Sequence, residues 1–494
     1  MLKNFDFEKK SDYSKFSTHE LGLRLARLQR VAQSMNIPVL FIMDGWESSG
    51  KGYAIKYLVR ELNPKYMDVD VFERMNSSET DYPFLHRFWI NIPQKGSVKV
   101  FDKSFYYQIM DDLNISKSKL EERIDDIKSI ENILYSDYTV ICKFFLHITE
   151  KTQKERIAEF LKSDSKQYYV DKYDLIQNER YDEYLEHIDR VLTLTNFTNT
   201  PWHIINSEHR KNAAREILGI AIEQMESGIE RVVTARKGGT RIKRKYKPEN
   251  MPLNDVDLTK TLSEDKYKEL LKPLQKQVAD LMLKYAAEKI PTVLVFEGVD
   301  AAGKDGAIER LIRYVDPRLV NVHAISAPDQ SENSYNYLWR FYTKLPPKGK
   351  IGIFSRSWYG RVMVERVEGF AQDNEWERAY NEMLEMEKQL SEFGALVLKY
   401  FVVIDKDEQL KRFEDREADP DKQYKITSED WRNRDKWDKY ISAMNEMLDR
   451  TNTDFAPWII VEGNDKKYAR IKVLKTFLDY AEKHYEKITE NKGK

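Results

Sequence analysis

The chain carries one domain twice. The stretch FIMDGWESSGKG, Phe41 to Gly52, and the stretch VFEGVDAAGKDG, from Val295, share one layout of glycine and lysine, with Gly45 matching Gly298 at an offset of 253. The same offset pairs Arg87 with Arg340, Phe88 with Phe341, Pro93 with Pro346, Gly96 with Gly349 and Phe101 with Phe354 without a gap. After a three-residue slip the offset becomes 256, pairing Lys143 with Lys399, Thr195 with Thr451 and Pro201-Trp202 with Pro457-Trp458. Register kept this long is the mark of duplication. The 494 residues, which a prior of roughly 150 per domain would split into about three, therefore divide as a first copy over 1–230, a basic linker over 231–260 and a second copy over 261–494.

Composition narrows the class. Hydrophobic residues make up 41% and charged residues 33%, and Lys+Arg 81 against Asp+Glu 82 leaves a formal charge of -1, which argues against a disordered polyelectrolyte or a globally basic nucleic-acid binder. An anionic partner must then be held by local basic patches. The single cysteine, Cys142, allows no intrachain disulfide and points to a reducing compartment, the cytoplasm. No apolar run approaches the ~18 residues of a membrane helix, and the start MLKNFDFEKK mixes charges where a secretory signal needs an apolar block. No membrane and no nucleic-acid partner is expected, and a homo-oligomer stays open.

Each copy opens with a helical periodicity, around Leu21 to Gln33 and Tyr267 to Ala287, then enters a β-branched apolar run starting at Ile37-Pro38 or Ile290-Pro291. Such a run reads as a buried strand, and each ends in a glycine-rich turn before another helical pattern. Ile351 to Phe354, Leu396 to Ile404 and Trp458 to Val461 are further strand candidates, separated by helical patterns such as Trp376 to Phe393. Alternation of this kind predicts an α/β fold in each copy, a parallel sheet covered by helices on both faces. The segment Arg231 to Pro252 shows no apolar periodicity and reads as a linker, with phosphate binding by its run Arg241 to Lys245 as the minor alternative.

The loop GVDAAGKDG, Gly298 to Gly306, places two glycines five apart before Lys304, between a predicted strand and a predicted helix. That is the setting of a phosphate loop. Small residues let the amides of Gly298, Ala301, Ala302, Gly303, Asp305 and Gly306 turn inward around phosphate oxygens; the helix dipole helps, and Lys304 supplies a point charge. The strict pattern ends in a Ser or Thr that binds magnesium, whereas Asp305 stands there in the second copy and Gly52 in the first. Asp300 offers a hard oxygen ligand for Mg2+ instead. The plainer alternative is a glycine-rich turn without a ligand.

The run IGIFSRSWYGRVMVERV, Ile351 to Val367, ends a second apolar strand where P-loop enzymes present an Asp to the metal. The first copy has Asp102 there and the second Ser355. Arg356 and Arg361 are candidates to face the loop and stabilise charge on a transferring phosphoryl group, or else they pair with Glu365 or Glu368. Trp358 and Tyr359 suit packing better than base stacking. In the stretch Asp405 to Lys425, Arg412 and Arg416 fall four apart on one helix face, with Glu408 four before Arg412 as a competing ion-pair partner. The matching first-copy segment, LKSDSKQYYVDK, lacks the paired arginines. With Lys425, Arg432, Arg434, Lys436, Lys466 and Lys467, this stretch is expected to line a lid over a polyanion.

Taken together, FEGVDAAGKDG, FSRSWYGRVMVERVEGF, RFEDREADPDKQYK and APWIIVEGNDKK make nearly the whole chain resemble the polyphosphate kinase 2 family, and in its duplicated layout that family's two-domain polyphosphate:AMP phosphotransferases. The resemblance implies a P-loop kinase fold in each half with a helical lid, dependence on Mg2+, and transfer of the terminal phosphoryl group of inorganic polyphosphate to a nucleoside monophosphate such as AMP. It also implies that Lys304 and Arg356 contact phosphates, that Asp300 serves the metal, and that Arg318 and Arg416 help hold the anionic substrates. The family usually carries Asp where Ser355 stands. The first copy departs further, with Glu47 in the loop, Lys103 for Arg356 and Gln108 for Arg361, and is expected to be a degenerate partner of a catalytic second copy. An ATP-dependent nucleoside monophosphate kinase and a polyphosphate-binding pseudoenzyme are the competing readings.

Overall fold

The structure, a computed structural model, describes residues 1–9, 11–165, 167–237, 246 and 249–492. The chain forms two units, one of Met1–Glu79, Leu85–Gly239 and Asp329–Trp339, the other of Thr80–Phe84, Thr240–Pro328 and Arg340–Lys494. In the first unit the strands are β1 (Val39–Gly45), β2 (Met67–Val71), β3 (Val98–Asp102), β4 (Val140–His147) and β5 (Trp202–Asn206). Its helices of eight residues or more are α1 (Thr18–Ser34), α2 (Lys51–Val59), α3 (Lys117–Ser136), α4 (Glu150–Leu161), α5 (Lys172–Glu179), α6 (Tyr181–Leu194) and α7 (Arg210–Lys237). The second unit holds β6 (Thr292–Gly298), β7 (Val320–Ala324), β8 (Ile351–Ser355), β9 (Leu396–Val403) and β10 (Trp458–Glu462). Its corresponding helices are α8 (Glu264–Ala287), α9 (Lys304–Leu311), α10 (Asp373–Glu392), α11 (Lys406–Ala418), α12 (Ser428–Asp435), α13 (Trp437–Thr451) and α14 (Lys466–Lys492).

Each unit is a five-stranded sheet, ordered β2-β3-β1-β4-β5 in the first and β7-β8-β6-β9-β10 in the second, with every pairing parallel. The register repeats residue for residue. Val39 faces Val98 and Thr292 faces Ile351; Lys143 faces Trp202 and Lys399 faces Trp458. The slip of three falls between β8 and β9, so the insertion left both ladders intact. The inner strands β1, β4, β6 and β9 are apolar almost throughout because both faces are covered. The edge strands β2 and β7, with sequences MDVDV and VNVHA, lack that signature, and sequence reading passed over them.

The linker begins later than the sequence predicts. Helix α7 runs to Lys237 because Ile229 and Val232 are buried in the first core, and because Arg231 donates from Nη1 to the Tyr135 carbonyl (3.0 Å) and from Nη2 to that of Thr139 (2.9 Å). The run Arg241 to Lys245 lies outside the described residues. Beyond it, Asp449 of α13 accepts hydrogen bonds from Tyr246 Oη (2.7 Å), the Glu249 amide (2.9 Å) and Asn250 Nδ2 (3.0 Å), fastening this segment to the second unit. Among the described residues no helix is long and apolar enough to cross a membrane.

Candidate functional site

In an open parallel sheet, ligands gather at the carboxyl ends of strands where the connections diverge. In the second unit that place is the end of β6, between β8 and β9. The turn there is dictated sterically. Gly298 has φ 139°, and a Cβ on it would sit 2.0 Å from the Val402 carbonyl oxygen of β9. Gly303 (φ 104°) and Ala301 (φ 61°) then bend the backbone through left-handed conformations into α9. Lys304, at the first position of α9, folds back so that Nζ donates to the carbonyls of Gly298 (2.9 Å) and Val299 (3.1 Å). Burial lowers its pKa and Arg356 adds to the effect, while Asp300 opposes it. A lysine whose hydrogen-bond partners are neutral carbonyls can in chemical terms exchange them for anionic oxygens.

Arg356 follows β8 with φ 65°, a left-handed conformation that a residue with a side chain adopts only when its surroundings impose it. Its Nη2 lies 3.2 Å from Asp300 Oδ1. The other Asp300 oxygen accepts from Asn433 Nδ2 of α12 (2.9 Å), and the Asp300 carbonyl accepts from Gln409 Nε2 of α11 (3.1 Å). Ser355 Oγ donates to Asp305 Oδ1 (3.1 Å), and Ser357 Oγ to the buried Glu297 (2.7 Å), whose pKa burial raises. The structure thus brings Lys304, Asp300, Asp305 and Arg356 to one loop, beside a pocket whose lining includes Gly298, Val299, Met363, Asn433, Trp437 and Tyr440. Among the described residues no group of three or more His, Cys, Asp or Glu is placed to hold a metal ion by itself.

The remaining arginines have different surroundings. Arg412 is buried beneath the loop: Nη1 donates to the Ala301 and Ala302 carbonyls (both 3.0 Å), Nη2 to those of Gly463 (2.7 Å) and Asn464 (3.0 Å), and Nε to Glu408 (2.6 Å). All its donor nitrogens are spent on protein. The first copy has not lost this group, contrary to the sequence alignment above. Arg156 occupies the matching place and holds the carbonyls of Ser48, Ser49, Ser207 and Glu208; the true counterpart of Arg416 is Phe160. Arg361 pairs with Glu365 (2.5 Å) and Glu375 (3.7 Å). Arg416 donates to the Lys425 carbonyl (2.9 Å), and the Lys425 side chain is exposed. Arg318 pairs with Asp316 on an exposed turn before the first residue of β7, at the end of the sheet away from the loop. Trp358 and Tyr359 are buried, both donating to Glu387. Sequence reasoning missed Gln409 and Asn433; the 256 offset, which pairs Gln409 with Gln153, was the available signal.

The first unit has the same loop backbone with a different filling. Ser48 (φ 55°) and Gly50 (φ 98°) repeat Ala301 and Gly303, and Lys51 Nζ donates to the carbonyls of Gly45 (3.1 Å) and Trp46 (3.0 Å). Here Glu47 lies 3.7 Å from Lys51 and 2.9 Å from Lys103. Burial would raise its pKa, but these two ammonium groups prevail and hold it at about 2. The Glu47 amide donates to Gln177 Oε1 (2.8 Å), Ser48 Oγ donates to Asp174 (2.9 Å), and Trp46 stacks on Tyr181 at 4.2 Å. A loop amide and the loop lysine are both engaged by the protein's own side chains.

Comparison with known proteins identifies relatives of the chain. The family model for polyphosphate kinase 2 matches residues 8–231 and 261–489. The chain is 37% identical over 483 residues to a polyphosphate:AMP phosphotransferase of Pseudomonas aeruginosa, covering 94% of this chain and 96% of that one. It is 35% identical to a polyphosphate:AMP phosphotransferase of Acinetobacter johnsonii, covering 90% and 91%. A crystal structure described as a polyphosphate kinase 2 from Pseudomonas aeruginosa superposes with a TM-score of 0.84 at 35% identity, covering 99% of this chain and all of that one. With the model matched in both halves and the relatives matched over at least nine-tenths of both chains, the chain belongs to the polyphosphate kinase 2 family.

Proposed function

We propose that the second unit transfers the terminal phosphoryl group of inorganic polyphosphate to AMP, giving ADP and a polyphosphate one unit shorter, with Mg2+ as the divalent ion. The observation that carries this reading is Lys304, half-buried at the mouth of an amide-lined loop with Arg356 beside it. Near-full-length likeness to polyphosphate:AMP phosphotransferases supports the donor and acceptor. The acceptor oxygen belongs to a phosphate whose second pKa is near ~6, so it is largely ionised at neutral pH and needs no strong base. The difficulty is bringing two polyanions together, and the loop amides, Lys304 and Arg356 neutralise and align them. Mg2+, held there, would supply positive charge against that developing on the leaving chain. It commonly takes one or two carboxylates together with phosphate oxygens and water, and Asp300 and Asp305 are the loop acids that would hold it.

The first unit, with Glu47 across its loop, is read as a non-catalytic partner, and the buried Cys142 suits the cytoplasm. Incubation of AMP, long-chain polyphosphate and Mg2+, with no nucleoside triphosphate, followed by separation of the nucleotides, tests this. ADP is expected from wild type and from Lys51→Ala, and orders of magnitude less from Lys304→Ala. ADP formed only on adding ATP would replace polyphosphate as donor; polyphosphate binding without ADP would make the chain a scaffold.

A further inference from the structure

Phosphate-loop enzymes hold their metal between a loop hydroxyl, the Ser or Thr after the lysine, and a carboxylate at the end of the neighbouring strand. In the second unit both groups are present with their places exchanged. The residue after Lys304 is Asp305, and the residue ending β8 is Ser355. They touch, with Ser355 Oγ donating to Asp305 Oδ1 at 3.1 Å. We infer that the hydroxyl and carboxylate arms of the metal site have traded positions in this unit, so that Asp305 supplies the acidic ligand that β8 lacks and Ser355 orients it.

Three observations support the exchange independently of the hydrogen bond. Asp300, the other acid of the loop, has both oxygens engaged, one by Arg356 and one by Asn433. Asp305 is exposed and, among the described residues, its Oδ2 accepts no hydrogen bond and enters no ion pair, so it keeps an oxygen available to a hydrated cation. The first unit shows the complementary arrangement, with Asp102 ending β3 and Gly52 after Lys51. Each unit therefore holds one carboxylate across these two positions, on opposite sides. An acid on the first turn of α9 also suits the positive end of the helix dipole, and that effect alone would hold Asp305 without any metal. The test must separate the two roles.

The inference rests on phosphoryl transfer by the second unit, but it is read without turnover. Mn2+ serves as the probe, with its binding to the full chain followed by water-proton relaxation enhancement at a fixed, saturating concentration of tripolyphosphate and no AMP. Asp305→Ser and Asp305→Asn are expected to weaken Mn2+ binding at least about tenfold, the cost of losing one charged ligand. Ser355→Asp added to Asp305→Ser, which restores the usual order of the two arms, is expected to return the affinity to within about threefold of wild type. Thermal unfolding of each variant records helix capping separately. Affinity unchanged within about twofold in both single variants, or no recovery in the double variant, overturns the exchange. If wild type fails to make ADP from polyphosphate, the proposed reaction fails while the Mn2+ comparison still decides the roles of Asp305 and Ser355.

Discussion

Gly298 has no space for even a methyl group. Its missing Cβ would overlap the Val402 carbonyl at 2.0 Å, so β6 and β9 must part to admit one. Gly298→Ala is expected to destabilise the second unit by about 3 kcal/mol or more, whereas Gly306→Ala, whose Cβ meets only the mobile end of Arg470 at 3.3 Å, should stay within about 1 kcal/mol of wild type. Thermal unfolding of the pair checks both. Arg412 is a second such point, because one guanidinium holds four carbonyls from two segments. A lysine has a single nitrogen to offer and cannot bridge them. Arg412→Lys should therefore lower the melting temperature and raise the KM for polyphosphate by slackening the loop, while Arg416→Ala leaves the melting temperature within about 2 °C. Equal melting temperatures for the two variants would contradict the supporting role of Arg412.

At the level of elements, three pairs that kept register at the second offset, Lys143/Lys399, Thr195/Thr451 and Trp202/Trp458, belong to one buried network in each unit. Lys399 of β9 donates to Glu387 of α10 (2.6 Å), to Tyr359 (2.8 Å) and to the Thr451 carbonyl (2.8 Å), while Trp458 of β10 donates to Thr451 Oγ1 (2.8 Å). Lys143, Glu131, Tyr106, Thr195 and Trp202 repeat it in the first unit. Burial pushes the Lys399 ammonium pKa down, opposed by Glu387. Lys399→Met leaves the Glu387 charge buried without its ammonium partner, a loss of about 3–5 kcal/mol, and Glu387→Gln added to it should recover part of that in urea unfolding. On β4, His147 accepts the Trp46 indole hydrogen bond at Nδ1 (2.9 Å), and burial lowers its pKa from 6.5 to about 4. Between those values the unfolded chain takes up a proton that the native unit refuses, so the contribution of His147 is complete above 6.5 and is lost as the pH falls toward 4. His147→Gln, which can still accept from the indole, should flatten that dependence by about 2 kcal/mol between neutrality and pH 5, read from urea midpoints at the two ends. Parallel pH profiles would remove His147 as the cause.

For the whole molecule, duplication followed by divergence separates a shared floor from a changed surface. Beneath each loop Gln153 and Gln409 donate to the same loop carbonyl at 3.1 Å, and Arg156 and Arg412 hold equivalent carbonyls. Above the loop, Glu47, Trp46 and Tyr181 stand in the first unit at the positions that match Asp300, Val299 and Trp437, which line the pocket in the second. The expected division of labour follows: turnover of AMP should survive Lys51→Ala within about threefold and fall by a factor of about 100 or more in Lys304→Ala, measured as ADP formed per minute on the intact chain. Comparable losses in the two variants would assign catalysis to both units.

The duplication, its two offsets, the parallel α/β architecture and the place of the phosphate loop are written in the order of residues, because strand burial, helix periodicity and the glycine turn are local properties that a one-dimensional pattern records. The partners of the charged groups are not local. Arg412 meets the carbonyl of Ala301, 111 positions away, and Ser355 meets Asp305 across 50. Whether an arginine near a loop faces a ligand or supports the backbone, and which of two acids keeps a free oxygen, depends on what folding brings within about 3 Å, and only the tertiary structure decides it.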